Sequence, residues 1–173
     1  MARDELIVVV DEQNREVGVA PRWRMRAERL GHRSTYIFVF DSQGRLYVQH
    51  RTETKDVFPG YWDLAAGGVV LAGETYEESA ERELAEELGI RGVTLEPWFD
   101  FYFAAHRVWG RAYGCRYEGP LALQPEEVQG VERMSVSEVY ANPNGRLFTP
   151  DSLYALRRKF GLNPNPDLSI LIK

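Results

Sequence analysis

The sequence predicts an α/β fold in which a mixed β-sheet is packed between helices, with a β-hairpin added at the N-terminus. Segments rich in Phe, Val and Ile, such as residues 35–40, have the composition of β-strands. Two or three other segments repeat apolar residues at helical spacing, which indicates amphipathic helices. Together these strand and helix segments predict a sheet covered by helices. The 173 residues suffice for a substantial core, so residues 1–173 are interpreted as a single domain.

The N-terminal residues 1–31 are predicted to form a hairpin followed by a short helix. Residues 7–11 and 16–20 have strand character and flank a polar turn. Pro21 suits the first turn of a helix, and Gly31 suits its end. The helix carries four arginines: Arg22, Arg24, Arg26 and Arg29. We interpret them as a solvated helix face, with contact to substrate phosphates as the alternative.

The middle of the chain is predicted to supply the rest of the sheet. Residues 35–40 and 46–49 suit a second hairpin, and the first of these strands is nearly all apolar, as in a central strand. Residues 94–103 and 108–117 alternate well enough to form long strands, and residues 128–136 are a further candidate.

The chain ends in a predicted helix and a tail. Thr149 suits the N-cap of this helix, Pro150 its first position and Asp151 an early acidic position. Residues 163–173 form the tail, where Asn-Pro repeats should end the helix. The apolar residues 168–172 either dock on the domain or mediate association.

Residues 68–90 have the pattern of a strand end, a glycine loop and one acidic helix. Thr75 and Glu78 form the pattern of a capping box, and Gly89 suits the left-handed residue that ends a helix. The helix is therefore predicted over residues 76–88. Three apolar residues one turn apart give it a buried stripe: Ala80, Leu84 and Leu88.

Acidic residues lie beside that stripe. Glu83 and Glu87 are one turn apart and Glu86 flanks them, so the pattern predicts three carboxylates that converge along one edge. Like charges at this spacing destabilise a helix. Arg82 can pair with Glu86, but the cluster still favours a hard divalent cation with oxygen ligands.

The spacing through this stretch resembles the complete Nudix box. The residues that carry the resemblance are Gly68, Glu74, Arg82, Glu83, Leu84, Glu86, Glu87, Gly89 and Ile90, and no position is substituted. The resemblance implies the Nudix α/β/α sandwich. It also implies an enzyme that hydrolyses a phosphoanhydride bond in a nucleoside diphosphate linked to another moiety.

The resemblance also implies roles for individual residues. Metal binding and proton acceptance are implied for Glu83, Glu86 and Glu87. The residue matching Arg82 is implied to orient the site through a pair with Glu74. A backbone carbonyl, at Gly68 or at Gly67, is implied as a further metal ligand. The implied cofactor is Mg²⁺, with Mn²⁺ as a possible substitute.

The identity of the general base stays open. Glu86 and Glu83 are the favoured candidates, because a carboxylate that does not bind the metal can accept the proton of the attacking water. In related enzymes a loop carboxylate outside the box sometimes serves instead. The candidates here are Glu126, Glu127 and Glu132.

Substrate-binding residues are expected outside the box. Arg51 and Lys55 are predicted to bind phosphates, with ordinary loop charges as the alternative. His32 and His50 could touch substrate or metal, although a structural role is our first interpretation. Six aromatic residues could stack on a base, most of them being expected in the core: Tyr61, Trp62, Trp98, Phe99, Tyr102 and Trp109. In the absence of a signature for a sugar or a second nucleoside, we expect nucleoside di- or triphosphates as substrates.

The sequence suggests two alternative functions. Residues 32–70 resemble the isopentenyl diphosphate isomerases, which use a cysteine just before a degenerate box. Gly67 occupies that position here, and Cys115 is too far along the chain to be assumed a replacement, so isomerase activity is disfavoured. An isomerase-like front half with an intact box is most similar to the YfcD-like branch of bacterial Nudix hydrolases. A Nudix module that binds a nucleotide without turnover is the second alternative, which the intact box disfavours.

Composition limits the expected partners and location. The net charge of −5 argues against broad binding to nucleic acid polymers or to anionic membranes. The sequence shows no apolar signal core and no stretch of membrane-spanning length. Its single cysteine suits a reducing compartment, so we expect a cytoplasmic protein. The expected partner is a small-molecule nucleotide, bound by a monomer or a homodimer.

Overall fold

A computed structural model describes residues 3–161 of the chain. In chain order its elements are β1 (Leu6–Val10), β2 (Glu16–Pro21), α1 (Arg22–Glu28), β3 (His32–Phe40), β4 (Leu46–Arg51), β5 (Trp62–Asp63), α2 (Tyr76–Leu88), β6 (Glu96–Phe103), a 3₁₀ turn (Ala104–His106), β7 (Val108–Arg116), β8 (Val128–Met134), α3 (Val136–Ala141) and α4 (Pro150–Phe160). Within this part of the chain, no helix is long and apolar enough to cross a membrane.

The sheet is mixed, and β3 lies at its centre as predicted. Strand β7 runs parallel to β3 along its whole length, from the pair His32–Val108 to the pair Phe40–Arg116. Strand β6 continues the sheet antiparallel to β7, and β8 pairs antiparallel with β4. On the other edge of β3, the Thr35 N–H donates to the carbonyl of Gly68 at 3.0 Å. This pairing brings the loop that precedes α2 against the centre of the sheet.

Helices cover both faces of the sheet, because β3 sends alternate side chains to opposite sides. Phe38 packs in one apolar cluster with residues of α3 and α4, including Leu156. Ile37 packs in the other cluster with α2, including Leu84 and Leu88. The predicted α/β/α sandwich with its N-terminal hairpin is confirmed.

Two element boundaries differ from the sequence prediction. Helix α1 ends at Arg29 (φ 54°) and not at Gly31. A Cβ at Gly31 would lie 2.2 Å from the carbonyl oxygen of Val10, so this glycine permits the close approach of β1. Strand β8 ends at Met134, and α3 follows with Ser135 as its N-cap.

Helix α3 was missed although its signal is present in the sequence. The Ser135 hydroxyl accepts from the N–H of Glu138, and the Glu138 carboxylate accepts from the N–H of Ser135, which is a complete capping box. The predicted helix break over residues 163–166 and the apolar tail over residues 168–172 lie outside the described residues.

Candidate active site

Helix α2 holds the acidic residues of the site, and its bounds match the prediction. The Thr75 side chain accepts from the N–H of Glu78 in the predicted capping box, and Gly89 ends the helix with φ 70°. The predicted apolar stripe is fully buried: Ala80, Leu84 and Leu88. Because this stripe fixes the rotation of α2, the residues beside it point at the loop of residues 64–70.

Glu83 and Glu87 are buried against two glycines of that loop. Glu83 is 2% exposed and Glu87 8% exposed. A Cβ at Gly68 would lie 2.6 Å from Oε1 of Glu83, so only glycine leaves room for this carboxylate. The N–H of Gly67 donates to Oε2 of Glu87 at 3.3 Å. With its amide oriented so that both of its groups are satisfied, Gln49 also donates to Oε2 of Glu87.

Gly67 has a backbone that only glycine adopts without strain. Its φ is +143°, and a Cβ there would lie 1.9 Å from the carbonyl oxygen of Thr35. The Gly68 carbonyl, a predicted metal ligand, accepts from Thr35 N at 3.0 Å and from Thr35 Oγ1 at 3.4 Å. Gly67, the alternative named with it, lines the same cavity as Gly68.

The third carboxylate, Glu86, is more exposed than the other two, although it shares a terminal nitrogen of Arg82 with Glu83. The Glu86 side chain is 45% exposed and contacts Arg82 at 3.3 Å. The reason is its position on the helix, since the buried stripe turns Glu86 toward solvent. Over residues 3–161, no three acidic, histidine or cysteine side chains are close enough together to hold a metal ion by themselves.

Arg82 makes both of its predicted pairings and a third. Its Nε and one terminal nitrogen bind the two oxygens of Glu74 at 2.6 and 2.9 Å. Its other terminal nitrogen binds Glu83 at 2.9 Å and Glu86 at 3.3 Å. Arg82 therefore holds one oxygen of Glu83 in place while it joins α2 to the loop before it.

Burial makes the two inner carboxylates costly to ionise. It raises the pKa of Glu83 despite the neighbouring guanidinium of Arg82. Burial and the charge of Glu83 raise the pKa of Glu87 to about 8, with Lys55 acting in the opposite direction. A cation placed between Glu83 and Glu87 would relieve both effects.

These carboxylates face a cavity of about 210 Å³, which is called the main cavity below because it holds Glu83 and Glu87. Its α2 wall carries Glu83 and Glu87, and its α1 wall carries Arg22 and Arg26. Lys55 lies on the loop between β4 and β5 and also lines the cavity. The site thus brings acidic and basic groups from distant parts of the chain into one space.

The two predicted phosphate-binding residues both line this cavity but are engaged within the protein. Arg51 donates to the carbonyl oxygens of Val57 and Phe58 at 2.7 and 3.2 Å and to Asp63 at 3.0 Å. These contacts hold the loop after β4. Lys55 forms an ion pair with Glu127. Burial and the charge of Arg51 lower the pKa of Lys55.

The three loop carboxylates have different surroundings. Glu127 lines the main cavity beside Lys55. Glu132 pairs with Arg146 at 2.7 Å and does not line the cavity, and Glu126 is exposed outside it. Of the three candidates outside the box, Glu127 is therefore the one that the fold places at the site.

The two histidines considered as site residues, His32 and His50, differ in location. His32 is buried, lines the cavity and has its Nδ1 3.0 Å from the carbonyl oxygen of Leu30. Burial lowers the pKa of His32 to about 4, so the ring is neutral at pH 7. His50 stacks on Trp62 at 4.3 Å between ring centroids and does not line the cavity.

None of the six aromatic residues considered as base platforms lines the main cavity, and four of them pack against the core as expected: Trp62, Trp98, Phe99 and Trp109. Trp98 stacks on Phe38, for example, and Tyr102 packs on Trp109 along β6 and β7. The aromatic side chains that do line the cavity are Tyr36 and Phe58, with His106 beside them. Alternation along a strand did not reveal which face would meet the cavity.

Several lining residues were missed from the sequence as site candidates. Asp63 is half-buried and accepts from Thr149 Oγ1 at 3.2 Å, and its partial burial raises its pKa. Tyr36 donates to Asp151 at 2.7 Å. These residues lie on β3, β5 and α4, and no local pattern links them. Three of the four α1 arginines also line the cavity, which favours the alternative to a fully solvated helix.

A family model described as the NUDIX domain matches residues 30–156 of the chain. The chain belongs to the Nudix family. It is 51% identical over 154 residues to a Nudix hydrolase of Yersinia pestis, and the match covers 88% of this chain and 84% of the relative. It is 48% identical over 158 residues to the Nudix hydrolase YfcD of Escherichia coli K12, covering 90% and 87% of the two chains.

Solved structures show the same Nudix fold. DR0079 from Deinococcus radiodurans matches with a TM-score of 0.78 and 27% identity, over 89% of this chain and 98% of the other. The relatives support the YfcD-like branch predicted from the sequence. As a Nudix hydrolase, the protein is an enzyme that acts on pyrophosphate bonds.

The isomerase interpretation finds no support in the position of the cysteine. Cys115 is buried on β7 and lines a second cavity, beside Phe40 and Trp98, instead of the main cavity. Burial raises the pKa of the Cys115 thiol to about 12, which leaves it protonated at pH 7.

Proposed function

We propose that this Nudix hydrolase is a divalent-metal-dependent pyrophosphohydrolase whose preferred substrates are nucleoside di- or triphosphates. The observation that carries the proposal is the pair Glu83 and Glu87. Both are buried, both have raised pKa values, and both face a cavity that basic side chains also line. Such a pair is suited to a cation and, through it, to a phosphate chain.

The residues at the site fit a hard divalent cation. Oxygen donors are what Mg²⁺ and Mn²⁺ prefer, and Glu83, Glu87 and the Gly67 carbonyl supply them. Glu86 is the next carboxylate on the same helix. When bound, the metal would neutralise phosphate charge and polarise the phosphorus. Substrate oxygens and water would complete its coordination, since the protein donors are few.

The side chains would divide the remaining tasks. We propose Glu86 or Glu83 as the acceptor of the proton from the attacking water, with Glu86 available for this role when Glu83 binds the metal. Arg82 would orient Glu83 through the oxygen that it already binds. Glu127 is a weaker candidate for the base because its carboxylate is engaged in an ion pair with Lys55. Lys55 and Arg51 would add positive charge near the phosphates.

A nucleotide substrate is supported by the family and by one neighbour. The NUDIX domain of NrtR from Shewanella oneidensis, solved in complex with ADP ribose, matches with a TM-score of 0.54 and 17% identity. That likeness shows the fold alone. For this chain we propose that the nucleotide binds in the main cavity.

The decisive experiment measures phosphate release with and without Mg²⁺ from nucleoside diphosphates, nucleoside triphosphates, nucleotide sugars and dinucleotides. Glu83→Gln should lower kcat by at least about 10²-fold, because base or metal assistance is lost. Glu81→Gln is the matched control, since Glu81 is exposed on the same helix. Undiminished turnover in Glu83→Gln would eliminate this mechanism.

We further propose that residues 1–173 act as one domain in the cytoplasm, as a monomer or a homodimer. The family match over residues 30–156 and the packing of the N-terminal hairpin onto β3 support the single domain. The single, buried Cys115 suits a reducing compartment. Gel filtration and light scattering of the full chain would measure the oligomeric state.

A further inference from the structure

Helix α1 turns two of its arginines toward the main cavity and one away. The side chains of Arg22 and Arg26 are 11% and 32% exposed, and both line the cavity. Arg24, between them, is 50% exposed and pairs with Glu28 on the outer face. The spacing of four residues puts Arg22 and Arg26 on the same side of the helix. Arg24 therefore provides a control for substitutions of Arg22 and Arg26.

The two inner guanidinium groups converge on one oxygen atom. Arg22 and Arg26 each contact Oδ2 of Asp56, both at 3.4 Å. Asp56 belongs to the loop between β4 and β5, and its side chain is 44% exposed. Two cations aimed at one oxygen form an anion-binding arrangement, in which the carboxylate oxygen marks the position that a phosphate oxygen could take.

Positive charge exceeds negative charge along this wall. Burial and the nearby charge of Arg22 lower the pKa of Arg26, while Asp56 opposes them. Arg22 also lowers the pKa values of Lys55 and His32. Arg22 and Arg26 therefore share the carboxylate of Asp56, while the nearby Lys55 is paired with Glu127. Such a wall attracts an additional anion.

We propose that Arg22 and Arg26 form a subsite for the terminal phosphate of the substrate, on the α1 wall of the cavity whose α2 wall holds Glu83 and Glu87. The inference rests on the proposed function and adds a specificity to it. A free terminal phosphate carries about two negative charges at pH 7, whereas a phosphate esterified on both sides carries one. The subsite therefore favours nucleoside di- and triphosphates over nucleotide sugars.

Asp56 competes with the substrate for this subsite. Its carboxylate occupies the point where the two guanidinium groups meet, so a phosphate must displace or share it. Removing the negative charge of Asp56 should strengthen phosphate binding, whereas removing an arginine should weaken it. A purely structural role, in which the arginines only hold the loop through Asp56, predicts instead that all three substitutions weaken binding together.

The test compares Arg22→Gln, Arg26→Gln and Asp56→Asn with the control Arg24→Gln. For nucleoside di- and triphosphates, each inner arginine variant should raise KM about tenfold, as expected for a lost charge-assisted contact, with kcat within about threefold. For a nucleotide sugar the change in KM should stay below about threefold. Asp56→Asn should lower KM for the phosphates, and Arg24→Gln should resemble the wild type.

An equal rise in KM for both substrate classes in the Arg22 and Arg26 variants, or a raised KM in Asp56→Asn, would overturn the proposal. Calorimetry with inorganic tripolyphosphate, with Mg²⁺ and with EDTA, separates it from the proposed function. If the wild type hydrolyses nothing but binds tripolyphosphate more tightly than Arg26→Gln does, the subsite stands and the proposed function fails. Equal tripolyphosphate affinity in both proteins removes the subsite. Should a glutamine variant not fold, Arg26→Lys tests the same loss of paired contacts with the charge kept.

Discussion

Replacement of Arg82 by alanine tests how much Arg82 stabilises the buried carboxylate of Glu83 on helix α2. Arg82 is the cation that contacts Glu83, whose side chain is 3% exposed, and it also binds Glu74 and Glu86. Arg82→Ala leaves the Glu83 charge buried and without this partner. Removing one partner of a buried ion pair costs about 3–5 kcal/mol. The more exposed pair with Glu86 adds only about 0–1 kcal/mol.

We expect the lower end of that range, because Arg82 is itself 22% exposed and water can partly replace it. Arg82→Ala should therefore lower the free energy of unfolding by about 3 kcal/mol. For a protein of this size, that loss corresponds to a fall in Tm of about 6–12 °C. Arg82→Lys should lie between the wild type and Arg82→Ala, since lysine keeps the charge but not the two-point contact with Glu74.

The assay is urea unfolding at pH 7 in EDTA, which removes any contribution from a bound metal. A double-mutant cycle with Glu83→Gln isolates the pair, and residues in direct contact typically couple by about 0.5–3 kcal/mol. A loss below about 1 kcal/mol in Arg82→Ala, or strict additivity with Glu83→Gln, would refute the reasoning. Either result would mean that Glu83 is neutral or solvated without its arginine.

Three further predictions concern pH and backbone strain. Burial raises the pKa of Glu87 to about 8, so its contribution to the stability of the metal-free protein is fully present below the ordinary pKa of 4.5 and is lost as pH rises from there through 8. Tm measured in EDTA across this window should fall, and Mg²⁺ or Glu87→Gln should flatten the profile. Burial lowers the pKa of His32 to about 4, so the contribution of His32 to the free energy of unfolding is present above pH 6.5 and is lost as pH falls toward 4. Urea titrations should show a loss of up to about 3 kcal/mol over this range, and a smaller loss in His32→Gln. Gly67→Ala should cost more than about 1 kcal/mol because its Cβ meets the Thr35 carbonyl, whereas Gly130→Ala, with open space around it, should cost less in the same titration.

Local patterns predicted the acidic helix because its signals are local. The capping box of Thr75 and Glu78, and the glycine at position 89, act within one turn of the helix ends. The central position of β3 followed from its unbroken apolar run for a similar reason, since a strand buried on both faces needs apolar side chains on both. Helix α3 shows the limit, because its equally local capping box was read as the end of a strand.

The pairing of side chains across the site could not be read in the same way. Periodicity placed Glu83, Glu86 and Glu87 near one another, but only the packing of the stripe decided that Glu86 faces solvent. Arg51 lines the main cavity, yet its hydrogen bonds to Asp63 of β5 and to two loop carbonyls depend on how the loop after β4 folds back. The aromatic residues of β6 and β7 looked equally suited to the core and to the cavity.

The sequence by itself determined the family and the bounds of helix α2, because both depend on residue types at fixed short spacings. The tertiary structure decided which charges meet. Arg22 and Asp56 are 34 residues apart, and Glu83 and Glu87 follow on another element, yet all four line one cavity. No periodicity connects such positions, since their distances depend on the sheet that carries the elements together. A charged helix face that meets solvent and one that meets a cavity look the same in sequence, and the difference lies in what packs opposite.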